Sequence, residues 1–118
     1  MIAVVLPLSS FAQGVDFKSL TMQEAQAVAE KEKKMIFIDF YTTWCGPCKM
    51  MTANVLPLKE VGEYMNETFV CVKFDMEKGE GRDIQQKYKV SSYPTFLVLN
   101  VDGSLLHAVV GASATGEE

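Results

Sequence analysis

Cysteine and histidine are scarce in this chain of 118 residues, with three of the first and one of the second. A structural zinc site takes four such ligands, usually as two close pairs or one pair with two histidines. Once Cys45 and Cys48 are counted as a pair, only Cys71 and His107 remain. Both fall inside segments that read as strands, so a closed metal site has little support. An excess of positive charge is also lacking. The formal net charge is -4 and the two signs are interspersed, so no basic stripe exists to follow a phosphate backbone and no nucleic-acid partner is expected. No apolar run approaches the roughly 20 residues of a membrane-spanning helix, so stable membrane insertion is not expected either. Internal repeats, low-complexity tracts and linkers are absent. With 48% hydrophobic residues, the length then fits one domain with a modest core.

What is present begins with an unusual N-terminus. An apolar run from Ile2 to Leu8 is followed by small and polar residues, and Ser10-Phe11-Ala12 ahead of Gln13 fits a small-x-small signal-peptidase site. The basic segment that should precede such a run is missing. Residues 1–12 read as the remnant of an export signal and 13–118 as the domain that works outside the cytoplasm, in a periplasm or a secreted setting. A short buried strand or an apolar leader is the alternative, and the protein is then cytoplasmic. No cysteine follows the run, so a lipoprotein anchor is not indicated.

Along the rest of the chain the pattern alternates. Residues 14–20 read as a short first strand. Thr21 with Glu24 three positions later forms a capping box, opening a segment rich in Ala, Glu and Lys that predicts a helix to about Lys34. Met35–Tyr41 is an almost continuous apolar run, as in a strand covered on both faces, and Asp39 interrupts it. A helix is expected from Cys45 through Val55, stopped or kinked by Pro57, with a further helix or a bent continuation over residues 58–68. Phe69–Asp75 reads as a second buried strand, residues 79–90 as a loop and short helix, and 95–100 with 104–110 as strands around an Asp102-Gly103 hairpin signal. The order β-α-β-α-β-α-β-β predicts an α/β fold. Its central sheet is mixed, with parallel strands plus a C-terminal antiparallel hairpin.

The chemistry concentrates in Trp44-Cys45-Gly46-Pro47-Cys48-Lys49. A cross-link between residues three apart closes a tiny loop and removes little unfolded-chain entropy, so a purely structural disulfide is weakly supported. A redox pair fits better. Cys45 falls at a predicted helix N-terminus, where unpaired N–H groups favour a thiolate. Cys48 lies one turn further in, within reach of a mixed disulfide at Cys45. Gly46 permits close approach, and Pro47 is tolerated in a first turn.

Those residues, with 'VKFD', 'SSYPTF' and 'VVGA' further on, resemble the thioredoxin superfamily over nearly all of residues 15 to 112. The likeness extends to bacterial extracytoplasmic members, including the C-terminal domain of the membrane thiol-disulfide reductase DsbD. The resemblance implies a thioredoxin fold and a thiol-disulfide oxidoreductase, with Cys45 as attacking and Cys48 as resolving thiol. It implies no cofactor beyond that redox-active pair. Expected partners are protein disulfide substrates and a membrane or soluble thiol reductant.

Single positions carry over. Asp39 matches a buried acid beneath the disulfide. A carboxyl in an apolar strand should have a raised pKa and so relay the proton of Cys48. Lys73 matches the lysine paired with that acid, Pro94 a cis-proline facing the disulfide, Tyr93 a backbone position for strand addition by substrate, and Gly111 a glycine of the docking surface. Trp44 covers the disulfide, and Gly46, Pro47 and Lys49 support the site. Cys71 reads as a buried inert thiol and His107 as a strand residue. Met50 and Met51 should pack in the core or beside the site. Two departures stand out. The expected final helix after Gly111 is missing, and Thr42 and Thr43 replace charged or small residues ahead of the Trp. Reductase, isomerase and oxidase directions stay open, although Gly-Pro between the cysteines resembles reducing members. A non-enzymatic partner-binding module and a metal held by the pair between two chains are the competing readings.

Overall fold

A computed structural model describes residues 14–91 and 94–110 of the chain. The expected signal remnant, Tyr93, Gly111 and the segment where a final helix was expected lie outside the described residues.

The fold is organised by one strand. β1 (Met35–Tyr41) is rich in β-branched and aromatic residues, and its five central residues are buried. It pairs in parallel with β2 (Phe69–Asp75) on one side and antiparallel with β3 (Thr95–Leu99) on the other. β4 (Leu105–Val110) closes the sheet against β3, giving the order β2-β1-β3-β4. The mixed sheet is therefore the expected one, with helices between the parallel strands and a hairpin at the end. The hairpin turn uses the Asp102-Gly103 pair as anticipated: Gly103 takes φ +88°, and Asp102 Oδ1 accepts the Ser104 N–H at 2.8 Å.

Alternation along β1 divides the core in two. Ile36, Ile38 and Phe40 pack on one side with Val70, Val72, Leu97 and Leu99 of the neighbouring strands. This side is covered by α1 (Met22–Glu32), through Ala25 and Ala29, and by α4 (Gly79–Lys87), through Ile84. On the other side Phe37 stacks on Phe96, with ring centroids 5.5 Å apart, and leans on Phe69 and Cys71. Met51, Val55 and Leu56 cover that face.

α1 starts as its capping box requires. Thr21 Oγ1 accepts the Glu24 N–H at 3.1 Å, and Glu24 Oε1 accepts the Thr21 N–H at 2.9 Å. Glu80 of α4 adds a carboxylate at the same helix end by accepting the Met22 N–H at 3.0 Å. The helix stops at Glu32, short of Lys34, because Lys33 turns left-handed at φ 58°.

Two expectations need correction. Residues 14–20 do not form a strand; Phe17 alone bridges to Cys71. Its charged neighbours Asp16 and Lys18 pair with each other at 3.0 Å, and the Asp16 N–H goes to Asn66 Oδ1 instead of extending the ladder. The helix after Cys45 is also not uniform. α2 (Gly46–Met50) gives way to a π-helical turn, Met51–Val55, whose wider i→i+5 bond joins Leu56 N–H to Met51 O at 2.8 Å. Residues 56–57 form a turn and α3 (Lys59–Thr68) follows.

Candidate functional site

Cys45 and Cys48 are joined by a disulfide at the start of α2, with their Cα atoms 5.3 Å apart. The local geometry follows from chain direction. β1 runs out at Tyr41, and the Cys45 N–H reaches back to Thr42 O at 3.3 Å. Cys45 then stays extended (φ -80°, ψ 113°) as the N-cap, and Pro47 occupies the first helical turn, where a missing N–H costs nothing. The Sγ of Cys45 accepts the Cys48 N–H at 3.1 Å, so the sulfur does what a capping oxygen does elsewhere. Both cysteines are about 95% buried, Cys45 being 4% and Cys48 5% exposed. A side chain at Gly46 would meet no atom of the described residues within 4 Å, so packing among them does not demand a glycine there.

Trp44 is 60% exposed beside the disulfide, and its indole Nε1 donates to Glu77 Oε1 at 2.8 Å. Glu77 sits in the turn after β2. Its own N–H is held by Asp75 Oδ1 at 2.9 Å and its carbonyl by Arg82 at 3.0 Å.

Behind Cys48 lies a cavity of about 300 Å³ lined by Asp39, Tyr41, Thr42, Thr43, Lys49 and Lys73 together with Cys48, Thr52 and Ala53 of the helical segment. Asp39 is 4% exposed. Burial pushes its carboxyl up from 3.8 to about 6, and the positive charge of Lys73 pulls against that rise. Lys73 stands directly across from Asp39 in the β1–β2 register. The expected Asp39–Lys73 pairing is looser than an ion pair, however. Among the described residues no salt bridge joins them; the Lys73 ammonium lies 5.3 Å from the Tyr41 ring centroid and 5.4 Å from that of Phe17. The two rings hold the cation where it feels the carboxylate without touching it.

Pro94 is fully buried immediately ahead of β3. Because Phe40 pairs with Thr95, Pro94 stands at the end of the sheet where β1 leads into Cys45. The conformation of its bond to Tyr93 rests on a residue outside the described set. Cys71 is 1% exposed on the same sheet face as Phe37, and burial pushes its thiol up to about 12. Met51 is buried against Phe37. His107 lies exposed on β4.

The structure thus gathers Cys45, Cys48, Asp39, Lys73, Lys49 and Trp44 at one end of the sheet. Sequence reasoning missed three participants. Tyr41 and Phe17 flank Lys73, and the spacing of Tyr41 two residues after Asp39 already put it on the same strand face. Glu77, 33 positions from Trp44, carried no signal.

Residues 16–117 match the Thioredoxin family profile. The chain is 36% identical to mitochondrial Thioredoxin-3 of Saccharomyces cerevisiae, over 97% of its own length and 87% of the relative's. The solution structure of a candidate disulphide-isomerase from Bacteroides thetaiotaomicron superposes with a TM-score of 0.77 at 45% identity, over 86% of this chain and 84% of that one. The oxidized form of the yeast mitochondrial protein gives a TM-score of 0.60 at 31% identity, over 84% and 86% of the two chains.

Proposed function

The chain belongs to the thioredoxin family, and from that premise we propose how this thiol-disulfide oxidoreductase divides its chemistry among its residues. The observation that carries the reading is the Cys45–Cys48 disulfide at the mouth of α2, with the Cys45 sulfur accepting a backbone N–H. An N–H that points at the sulfur in the disulfide points at the thiolate once the bond is reduced, and so favours the reactive form.

Cys45 is the attacking thiol. Its thiolate displaces one sulfur of a substrate cystine, forming a mixed disulfide and releasing the first substrate thiolate. Cys48 then attacks the Cys45 sulfur. The Cys45–Cys48 bond forms, the second substrate thiolate leaves, and two electrons have passed to the substrate. Asp39 accepts the proton that Cys48 must lose, a role suited to a carboxyl with pKa near neutrality. Lys73 moderates that acid across the sheet. Trp44, with Gly46 and Pro47, shapes the surface around Cys45, and Lys49 adds positive charge next to the resolving cysteine. Substrate docks as an extended segment against Tyr93, Pro94 and Gly111. The pair needs no other cofactor.

The direction is reducing or isomerising, with a membrane or soluble thiol reductant restoring the dithiol. Gly46-Pro47 supports this, as do the names carried by the similar proteins, a thioredoxin and a candidate disulphide-isomerase. An extracytoplasmic location, akin to that of the DsbD C-terminal domain, is supported by the apolar N-terminus. No helix among the described residues is long and apolar enough to cross a membrane.

A redox titration against glutathione, combined with insulin reduction and partner trapping by Cys48→Ser, tests the reading. Catalytic turnover, a potential on the reducing side of glutathione and covalently trapped protein partners are expected. Partner binding without turnover would replace the enzyme with a binding module.

A further inference from the structure

The two edges of the sheet are finished differently. The β2 edge is closed by the chain itself: Phe17 bridges to Cys71, and the Lys18 N–H donates to Cys71 O at 2.9 Å. At the other edge β4 pairs with β3 alone among the described residues. Edge strands of soluble proteins are commonly blunted by charged side chains, by proline or by a covering element, because their free N–H and C=O groups accept another strand. Leu105–Val110 has no Lys, Arg, Asp, Glu or Pro. Leu105 lies across from Leu99, Ala108 from Leu97 and Val110 from Thr95, and directly opposed residues share a face. These three therefore turn to the side covered by α1 and α4, as does Leu106, two residues before Ala108. The helices that bury Leu97 and Leu99 leave this stretch uncovered. Leu105, Leu106 and Val110 are 49%, 50% and 62% exposed, so an apolar stripe runs beside an open row of backbone donors and acceptors.

We propose that β4 is a self-association edge, where a second copy of this chain pairs its own β4 antiparallel and extends the sheet through a twofold axis at Ala108. The occupant follows from charge and pattern. Each molecule carries a net charge of -4. Like-charged copies repel, so their approach costs least where neither presents charge, and β4 is such a place. A strand with an apolar stripe and an open edge is matched by a strand of the same pattern, and twofold pairing supplies that match. With Ala108 opposite its own copy, Leu106 falls opposite Val110 and His107 opposite Val109. Like faces then stay together and the two stripes merge. On the axis only alanines meet, so nothing bulky collides with itself. The redox sites end up apart. Val110 lies across from Thr95, and Thr95 from Phe40, so Val110 marks the end of the sheet nearest Cys45. Antiparallel pairing sends the two such ends in opposite directions, and each site works alone. Two six-residue strands make a contact well below the roughly 1,200–2,000 Å² of a stable interface, so the association is weak and depends on concentration.

Sedimentation equilibrium of the chain, with Cys45 and Cys48 held as the disulfide, tests the proposal. The average mass of the wild type is expected to rise from one chain toward two between about 1 µM and about 1 mM. Ala108→Lys sets like charges face to face on the axis and should weaken association about tenfold. Its insulin reduction per chain should match the wild type, which shows that the variant is folded. Leu58→Lys makes the same change of charge at the start of α3 and should associate as the wild type does; equal weakening there would assign the effect to net charge and overturn the edge. Amide hydrogen exchange of the wild type needs no variant to fold, and exchange at Leu105–Val110 should slow as concentration rises. A wild type that keeps the mass of one chain throughout overturns the proposal, as does a dimer that survives Ala108→Lys. Protection of β4 that is the same at every concentration places a cover within the chain and overturns it too.

Discussion

The two faces of β1 carry neighbouring residues to different ends. Ile36, Ile38 and Phe40 turn to one side, where each is wholly buried among aliphatic and aromatic side chains. Phe37, Asp39 and Tyr41 turn to the other, where the packing around Phe37 gives way at Asp39 to a cavity holding an acid, a lysine, hydroxyls and a redox sulfur. A single strand thus supplies both a hydrophobic anchor and a reactive wall. The anchored side fixes the backbone from which Asp39 projects, so the strand can hold a charged group in a place that would otherwise expel it.

Four changes test this contrast. Cys45→Ala is expected to abolish disulfide turnover, yet to lower the unfolding midpoint by less than any large core truncation, since the lost cross-link closes only a short loop; insulin reduction and a urea melt on one preparation show the split. Phe40→Ala should do the reverse. A loss of about 3–5 kcal/mol is expected in denaturant titration, with the pH midpoint of Cys48 attack unaltered in protein that remains folded.

Asp39→Asn tests the boundary between the faces. With its carboxyl raised from 3.8 to about 6 in the folded state, the native protein binds the proton more tightly than the unfolded chain. The stabilising contribution of that proton is complete below about pH 4 and is lost as pH rises through about 6. Above that the ionised, buried carboxylate costs about 3 kcal/mol. The wild type should therefore weaken across that window, and Asp39→Asn should be more stable at neutral pH by up to that amount while losing resolving rate. Urea titrations at several pH values read the difference; a flat wild-type profile would mean that Asp39 is better solvated than its burial implies. Glu77→Ala should matter least. Loss of the Trp44 contact is expected to cut turnover on protein substrates about twofold to threefold and to leave stability within about 0.5 kcal/mol, as seen by steady-state assay beside thermal melting.

Much of this was legible in the residues because it rests on short-range rules. Both ends of β1, the Thr21–Glu24 capping box, the Asp102-Gly103 turn and the placement of Cys45 at a helix start all follow from neighbours a few positions apart. The π-helical turn did not, because the few apolar residues of the mixed segment 46–55 fit a period of 3.6 or a wider one about equally well. The first strand shrank to a single bridge: the Lys18 N–H still reaches Cys71 O, but the Asp16 N–H is taken by the Asn66 side chain. The surroundings of Lys73 required knowing that β2 lies beside β1 in one register and that Phe17 bridges to Cys71. The Trp44–Glu77 contact spans two loops that meet only after the sheet has formed. Short-range patterns thus located the reacting sulfurs and the acid, while their tuning by other side chains waited on tertiary register.

Cys71 gives the molecule a built-in clock. It sits in the sheet as a protonated spectator, sealed from solvent and far too weak an acid to ionise at neutral pH, so an alkylating reagent should leave it untouched in the reduced native protein. Its label arrives only when the sheet itself comes apart, and the rate of arrival times that opening without any added probe.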